Sequence, residues 1–455
     1  MPEQSPVPSP WKSLQRTSIR TGLALLALIA IWSLWYGYAA WRFAQLKSQL
    51  QAHNDSPTQA SQEQTVAPQD DAVYLATRDM AVLSLSTAEG ERIGQRPESP
   101  SPADDLTENS LAEKQKPLAV DLALASTKAS HWHASNPFDP ASFDQRILQL
   151  SVLSAIRSHA AVAAQRHHLD QQALQAIDDV ETCSRITDEG PDLAFHTNVL
   201  SFEERALRAL AWIAPDIQLR SPSRPGGANR DFILHLMGRL QNQTSLNHGM
   251  ERALESMEDV IIQPDDLNSY PFYIRPSVKL DAIAAMRSQA QLRNAFGTSS
   301  VSILLSMATE NMDPFSHQSS LWIAAHVGRG ILRPPLNKRD FLLRHFIVET
   351  MRNAAALRLA LRLYELDHGT LPDRLDALVP DYIKALPKDI FRADGKTLGY
   401  SRTKLFLYSV GSDGVDDQGH SAAWSGTINL DDWFDQPNDL VFHLDRQTIP
   451  PLPAE

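Results

Sequence analysis

Eight aspartates, Asp413, Asp416, Asp417, Asp431, Asp432, Asp435, Asp439 and Asp445, lie between Lys404 and Arg446 with no Lys or Arg among them. Carboxylates gathered on a folded loop repel one another, and a hard divalent cation relieves that repulsion by taking about 6 to 8 oxygen ligands. Calcium is the natural candidate outside the cytoplasm. The acid and glycine spacing of an EF-hand loop is absent, so a solvated acidic loop without an ion is the competing account. Histidines offer less. His131 and His133 flank Trp132, and His159, His167 and His168 follow, none with the spacing of a metalloprotease helix. His167 and His168 are adjacent and point to different sides of a helix, which reads as surface. Cys183 is the single cysteine, which excludes an intrachain disulfide, a four-cysteine zinc site and a paired-thiol redox centre. No nucleophile elbow, phosphate-cradling glycine loop or dinucleotide fingerprint occurs. Any acidic chain supplies carboxylate pairs for general acid–base work, and only a fold can bring two of them together.

The elements that must position these residues begin with an anchor. The chain has 455 residues and a formal charge of -12, from 42 basic and 54 acidic side chains, and this balance argues against a general electrostatic grip on nucleic acid. From Thr21 to Trp41 no residue is charged, and about 20 apolar residues cross a bilayer core as a helix. Trp32, Trp35, Tyr36, Tyr38 and Trp41 crowd the second half, as amphipathic rings do at a membrane boundary. A cleaved signal peptide is the rival reading, but its apolar core is usually shorter and less aromatic, so 21–41 reads as an uncleaved anchor. Lys12, Arg16 and Arg20 precede it, while Arg42 and Lys47 follow, which places a short tail, 1–20, in the cytoplasm and the bulk of the chain beyond the inner membrane.

Residues 48–130 carry Pro57, Pro68, Pro97, Pro100, Pro102 and Pro117 among many polar residues and no sustained apolar period. A disordered linker is expected there, with Asp71 to Ser86 apolar enough for a short docking segment. Residues 141–335 then read as an all-α middle domain. Ile147, Leu150, Leu153 and Ile156 mark one amphipathic helix, and Leu174, Ile177, Val180, Cys183 and Ile186 mark its hairpin partner. That stripe makes Cys183 a packed, inert thiol. Further helices are expected at 192–213, 230–262, 278–311 and 318–331. No 34-residue period recurs, so the helices form no tetratricopeptide array. From Asp340 a long helix runs to His368-Gly369, followed by strands at 397–402, 405–410 and 439–444. The fold class expected is α+β: a transmembrane helix, a linker, a helical domain, and a terminal domain, 340–455, of one long helix on a small antiparallel sheet, able to fold alone.

The run Leu359-Ala360-Leu361-Arg362-Leu363-Tyr364-Glu365-Leu366-Asp367-His368-Gly369-Thr370-Leu371-Pro372 resembles the end of the spine helix in type II secretion major pseudopilins. Leu386-Pro387-Lys388-Asp389 and Leu407-Tyr408-Ser409-Val410-Gly411-Ser412-Asp413-Gly414 continue the resemblance over about 100 residues. It implies a pseudopilin-like fold for 340–455 and a calcium ion in the acidic loop, with Asp413 and Asp439 carried over and Asp416 and Asp417 beside them. It does not extend to filament assembly: the glutamate that recruits a neighbouring subunit is replaced by Ala27, and the anchor lies far from the spine-like helix. The resulting expectation is a single-pass envelope protein that binds or scaffolds and does not catalyse, with envelope or secretion-system proteins as partners. An extracytoplasmic hydrolase using carboxylates of the helical domain, and a minor secretion-filament subunit, are the alternatives.

Overall fold

A computed structural model describes residues 10–54, 67–94, 110–111, 113–114, 116–130, 132, 145–190, 192–262, 271–309, 338–420 and 439–445. The chain is mostly helical with one three-stranded antiparallel sheet. The helices are α1 (Pro10–Asn54), α2 (Ala72–Thr77), α3 (Thr87–Gly94), α4 (Lys116–Ala125), α5 (Gln145–Arg166), α6 (Asp170–Asp188), α7 (Leu193–Ile213), α8 (Arg230–Gln241), α9 (Thr244–Ile262), α10 (Arg275–Ala295), α11 (Val301–Thr309) and α12 (Lys338–His368). Strands β1 (Gly399–Ser401), β2 (Phe406–Ser409) and β3 (Leu440–His443) form a meander. The expected helix at 318–331 lies outside the described residues. Contacts divide the chain into two units, 1–59 with 258–290 and 313–335, and 60–257 with 291–312 and 336–455.

In the first unit, α1 is long and apolar enough over Arg20–Gln49 to cross a membrane. Residues 20–31 are exposed on every side, and Leu34 is 75% exposed. Farther along, the stripe Ala39, Phe43 and Leu46 turns toward α10, where Val278, Ala282, Ile283 and Met286 bury Phe43. The i, i+4, i+8 spacing of Val278, Ala282 and Met286 is what presents one apolar face.

The second unit is built on the hairpin α5–α6 and on α7, which packs against both. The predicted stripe on α6 is buried in full: Leu174, Ile177, Val180, Cys183 and Ile186 are all inaccessible. Asp192 caps α7 by accepting from the Ala194 amide at 2.8 Å. α5 is also apolar and long enough to cross a membrane, but it is mostly buried and serves as a core helix. The segment expected as a single helix at 230–262 is split into α8 and α9 at Asn242, whose Oδ1 accepts from the Thr244 amide at 3.1 Å. The segment 278–311 is split at Gly297, which takes φ +76°.

Two expectations about boundaries give way here. Within 48–130, α2 and α4 bury Val73, Leu75, Leu118 and Leu122 in one cluster with Leu150, Cys183 and Phe202, so the described parts of the supposed linker are docked helices. They are too short to display a sustained period. Nor does 340 separate two cores, because one hydrophobic cluster runs from Ala161 and Leu174 through Leu343 and Leu357 to Leu407 and Phe442. α12 contacts α7, α8, α11 and β2, and residues on all its faces are buried, His345, Arg352 and Arg358 among them. β2 pairs with β1 (Tyr400 opposite Leu407) and with β3 (Tyr408 opposite Val441), close to the sequence expectation. Gly369, at φ +74°, ends α12 by donating its amide to Glu365 O at 2.8 Å.

Candidate functional site

The acidic loop leaves β2 and returns at β3. Asp439 is buried, and its two carboxylate oxygens accept from the loop amides of Asp417 (3.4 Å) and Gly419 (2.6 Å). Burial raises its pKa, against the pull of those amides. Asp416 Oδ2 lies 2.8 Å from Arg392 Nη1, while Tyr408 donates its hydroxyl to Oδ1 at 3.1 Å; the Arg392 contact leads in lowering its pKa. Asp413 Oδ1 accepts from the Val415 amide at 3.0 Å. Asp431, Asp432 and Asp435 lie outside the described residues. Among the described residues no three His, Cys, Asp or Glu side chains converge as metal ligands do. The carboxylates of Asp413, Asp416 and Asp439 thus each accept hydrogen bonds that hold the loop, and Arg392 is a cation already placed at Asp416.

A denser polar site, which the sequence reading missed, is buried among α6, α7, α8, α9 and α12. Arg352 of α12 reaches between helices: its Nη1 donates to Glu181 Oε2 of α6 at 2.8 Å and to Glu203 Oε2 of α7 at 2.5 Å. Its Nη2 donates at 2.8 Å to the Arg239 carbonyl at the end of α8, which also accepts from the Asn242 amide at 3.1 Å. The break between α8 and α9 is therefore also a binding point for the arginine. A cavity of about 100 Å³ adjoins the group, lined by Glu181, Asp188, Glu203, Arg239, Ser245 and Arg352 among others. Burial pushes the Glu203 pKa up despite Arg352, with Glu181 adding to the rise. Burial disfavours the Arg352 charge, and the two carboxylates more than offset this, so its pKa is raised.

Next to the cavity runs a hydrogen-bonded row. Ser245 Oγ donates to Asp188 Oδ2 (3.0 Å), Asp188 Oδ1 meets His196 Nδ1 (3.0 Å), His196 Nε2 meets His345 Nδ1 (3.1 Å), and His345 Nε2 meets Asn247 Oδ1 (3.1 Å). Burial first, and then His196, push the His345 pKa well below the ordinary range. Gly249 of α9 lies against the pair, and a Cβ there would collide with Asp188 Oδ1 and His196 Nδ1.

This geometry holds helices together better than it handles substrate. The carboxylates face an arginine, the histidines face each other, and the row ends on an amide with no nucleophile at the imidazole. A cavity of about 100 Å³ holds a few waters, whereas small-molecule pockets run to about 300–1,000 Å³. The site had a signal in the sequence: Glu181 and Asp188, His196 and Glu203, and His345 and Arg352 each stand seven apart, so each pair shares the buried face of its helix. Compared with known protein families, curated proteins and solved structures, the chain matches none.

Proposed function

We propose that this chain is a membrane-anchored, extracytoplasmic binding or scaffold protein that acts without catalysis, working beside the type II secretion apparatus. The observation that carries the reading is the pairing of an exposed apolar helix, residues 20–31 of α1, with a second unit whose buried charged cluster is matched internally. A scaffold needs a rigid body at a fixed membrane, and ion pairs locked between helices give rigidity and register. The link to secretion rests on the resemblance of residues 359–414 to pseudopilins, and Ala27 opposes membership of the filament itself. The localisation that follows is the inner membrane, single-pass, with proteins of the envelope as partners and no nucleic acid. Calcium at Asp413, Asp417 and Asp439 is compatible with this role but not needed for it.

One observation favours the hydrolase reading: Glu181 and Glu203 meet at a cavity, and Glu203 holds its proton unusually well. General acid catalysis uses such a group. Arg352 bonded to both carboxylates, and the cavity's small size, weigh the other way. The deciding experiment is affinity capture from crosslinked native membranes with the wild type and Glu203→Gln. Recovery of the same secretion-system components by both supports the scaffold. Recovery of no envelope protein by the wild type would sink it.

A further inference from the structure

We infer that the turn at 271–274, which leads into α10, is a second membrane element, with Phe272 and Tyr273 inserted among the acyl chains of the phospholipid layer beside α1; this rests on the reading of α1 as a membrane anchor. The argument is one of length. The part of α1 exposed on every side within its uncharged run, Thr21–Ile31, measures about 16 Å at 1.5 Å per residue, half of the roughly 30 Å of hydrocarbon that must be crossed. The remaining half, Trp32 to Trp41, is the part that α10 lies along.

The contacts fix the level. Trp32 meets Phe272 edge to face at 5.7 Å between ring centres, and Tyr36 lies under Lys279, whose Nζ is 4.5 Å from the ring centre and donates to the hydroxyl at 3.2 Å. Phe43 packs on Val278, Ala282 and Met286. Both helices therefore advance in the same direction, and the turn closed by the Ile274 amide on the Pro271 carbonyl (3.0 Å) sits beside Trp32. That is nine residues, about 13 Å, before the end of the uncharged run.

Phe272 and Tyr273 are 64% and 60% exposed, two adjacent aromatic rings turned outward at a depth where water is excluded. About 13 Å from the end of the run is close to the middle of a hydrocarbon core of roughly 30 Å, where exposed ring surface is favoured over its exposure to water. Lys279 fits the same placement. It stands about 7 Å before Trp41, so its ammonium is close enough to the headgroups to be tolerated, and Tyr36 supplies both a hydroxyl and a ring face for the charge.

Cysteine labelling tests the depth. Cys183 is the chain's single cysteine and is fully buried, so an introduced thiol on the full-length protein is labelled selectively. Phe272→Cys, Tyr273→Cys, Leu28→Cys on α1 and Val415→Cys on the acidic loop would each carry an environment-sensitive fluorophore. The proteins are reconstituted into phosphatidylcholine–phosphatidylglycerol vesicles and exposed to nitroxide-bearing lipid or to aqueous iodide. The labels at 272 and 273 should lose more emission to the lipid nitroxide than to iodide, matching position 28 and opposite to position 415. Stronger quenching by iodide at 272 and 273, with position 28 quenched by lipid, would overturn the inference and leave the anchor intact. Protection from both quenchers, as a protein partner or a second copy would give, also overturns it. Iodide quenching at position 28 would instead refute the anchor.

Discussion

Arg352 joins α12 to α6, α7 and the end of α8 through a single guanidinium, which makes it the residue whose loss is felt most widely. Replacing it by Met leaves Glu181 and Glu203 buried without a cation, and breaking a buried pair of this kind costs about 3–5 kcal/mol. Adding Glu181→Leu and Glu203→Leu to that variant should recover much of the loss, because a well-packed apolar group replaces the pairs with little penalty. Thermal unfolding of the detergent-solubilised full chain measures both, and no recovery in the triple variant would show that the carboxylates hold something besides the arginine. Gly249→Ala should cost about 1–3 kcal/mol by forcing α9 away from Asp188 and His196. The cluster also sets a pH slope. Half-buried Glu349 has its pKa raised by burial from 4.5 to about 7, with Arg352 pulling weakly against the rise. A carboxyl with a raised folded pKa binds more protons in the folded state, so its stabilisation is full below about 4.5 and is lost as pH rises to about 7. Asp367, held down to about 2 chiefly by Arg230, acts in the opposite sense but below pH 4, outside that window. His345, whose pKa burial lowers, acts in the opposite sense within the window and Glu203 in the same sense, so the test is a difference: the melting temperature of Glu349→Gln relative to wild type should rise between pH 5 and pH 7, and an unchanged difference would place the titration elsewhere.

α12 shows how far a single element can be read. Its limits, its glycine stop and the strands after it follow from apolar spacing and turn residues, and the structure has them within a few positions. Its surroundings were not legible. The sequence suggested that a small sheet covers the helix, yet the amino-terminal half meets helices: Phe341 stands edge-on to His196 at 5.8 Å, Phe346 stacks on Phe296 at 6.2 Å, and Arg344 holds Glu204 at 2.7 Å. Periodicity reports that a face is apolar and says nothing of what covers it. The same gap hid α2 and α4, which bury apolar residues only by docking on α5 and α6, and it hid the polar cluster, since a charged residue on an apolar face reads as an interruption until a partner is seen across the helix. The expected autonomy of 340–455 has to be weighed against this cover. Freed from α7, α8 and α11, α12 would expose Phe341, Leu342, Phe346 and Ile347, each worth about 1.5–3 kcal/mol of burial, and the sum is comparable with the entire stability of a typical domain. A 336–455 fragment should fail to unfold cooperatively, whereas 60–455 should do so; a sharp transition in the short fragment would mean that the sheet and loop suffice.

For the whole molecule, the charge distribution and the anchor act together. Residues 1–47 hold five basic side chains and Glu3, a net +4, so the remainder of the chain sums to -16 against the overall -12. Basic residues are retained on the cytoplasmic side, and the stretch before Thr21 carries Lys12, Arg16 and Arg20 against Arg42 and Lys47 after Trp41. On the orientation proposed above, the body of the protein lies on the far side of the span. The protein should resist carbonate extraction, because α1 carries a membrane-length apolar run, and protease added to spheroplasts should reach the acidic loop at 411–420, whose Asp413 and Asp416 are exposed. An epitope at the carboxyl terminus should then be lost while one at the amino terminus survives until the membrane is dissolved. The reverse pattern would turn the molecule over and put the acidic body in the cytoplasm. Release of a shortened soluble chain by carbonate would establish cleavage near Tyr38-Ala39-Ala40, and with it a secreted protein in place of an anchored one.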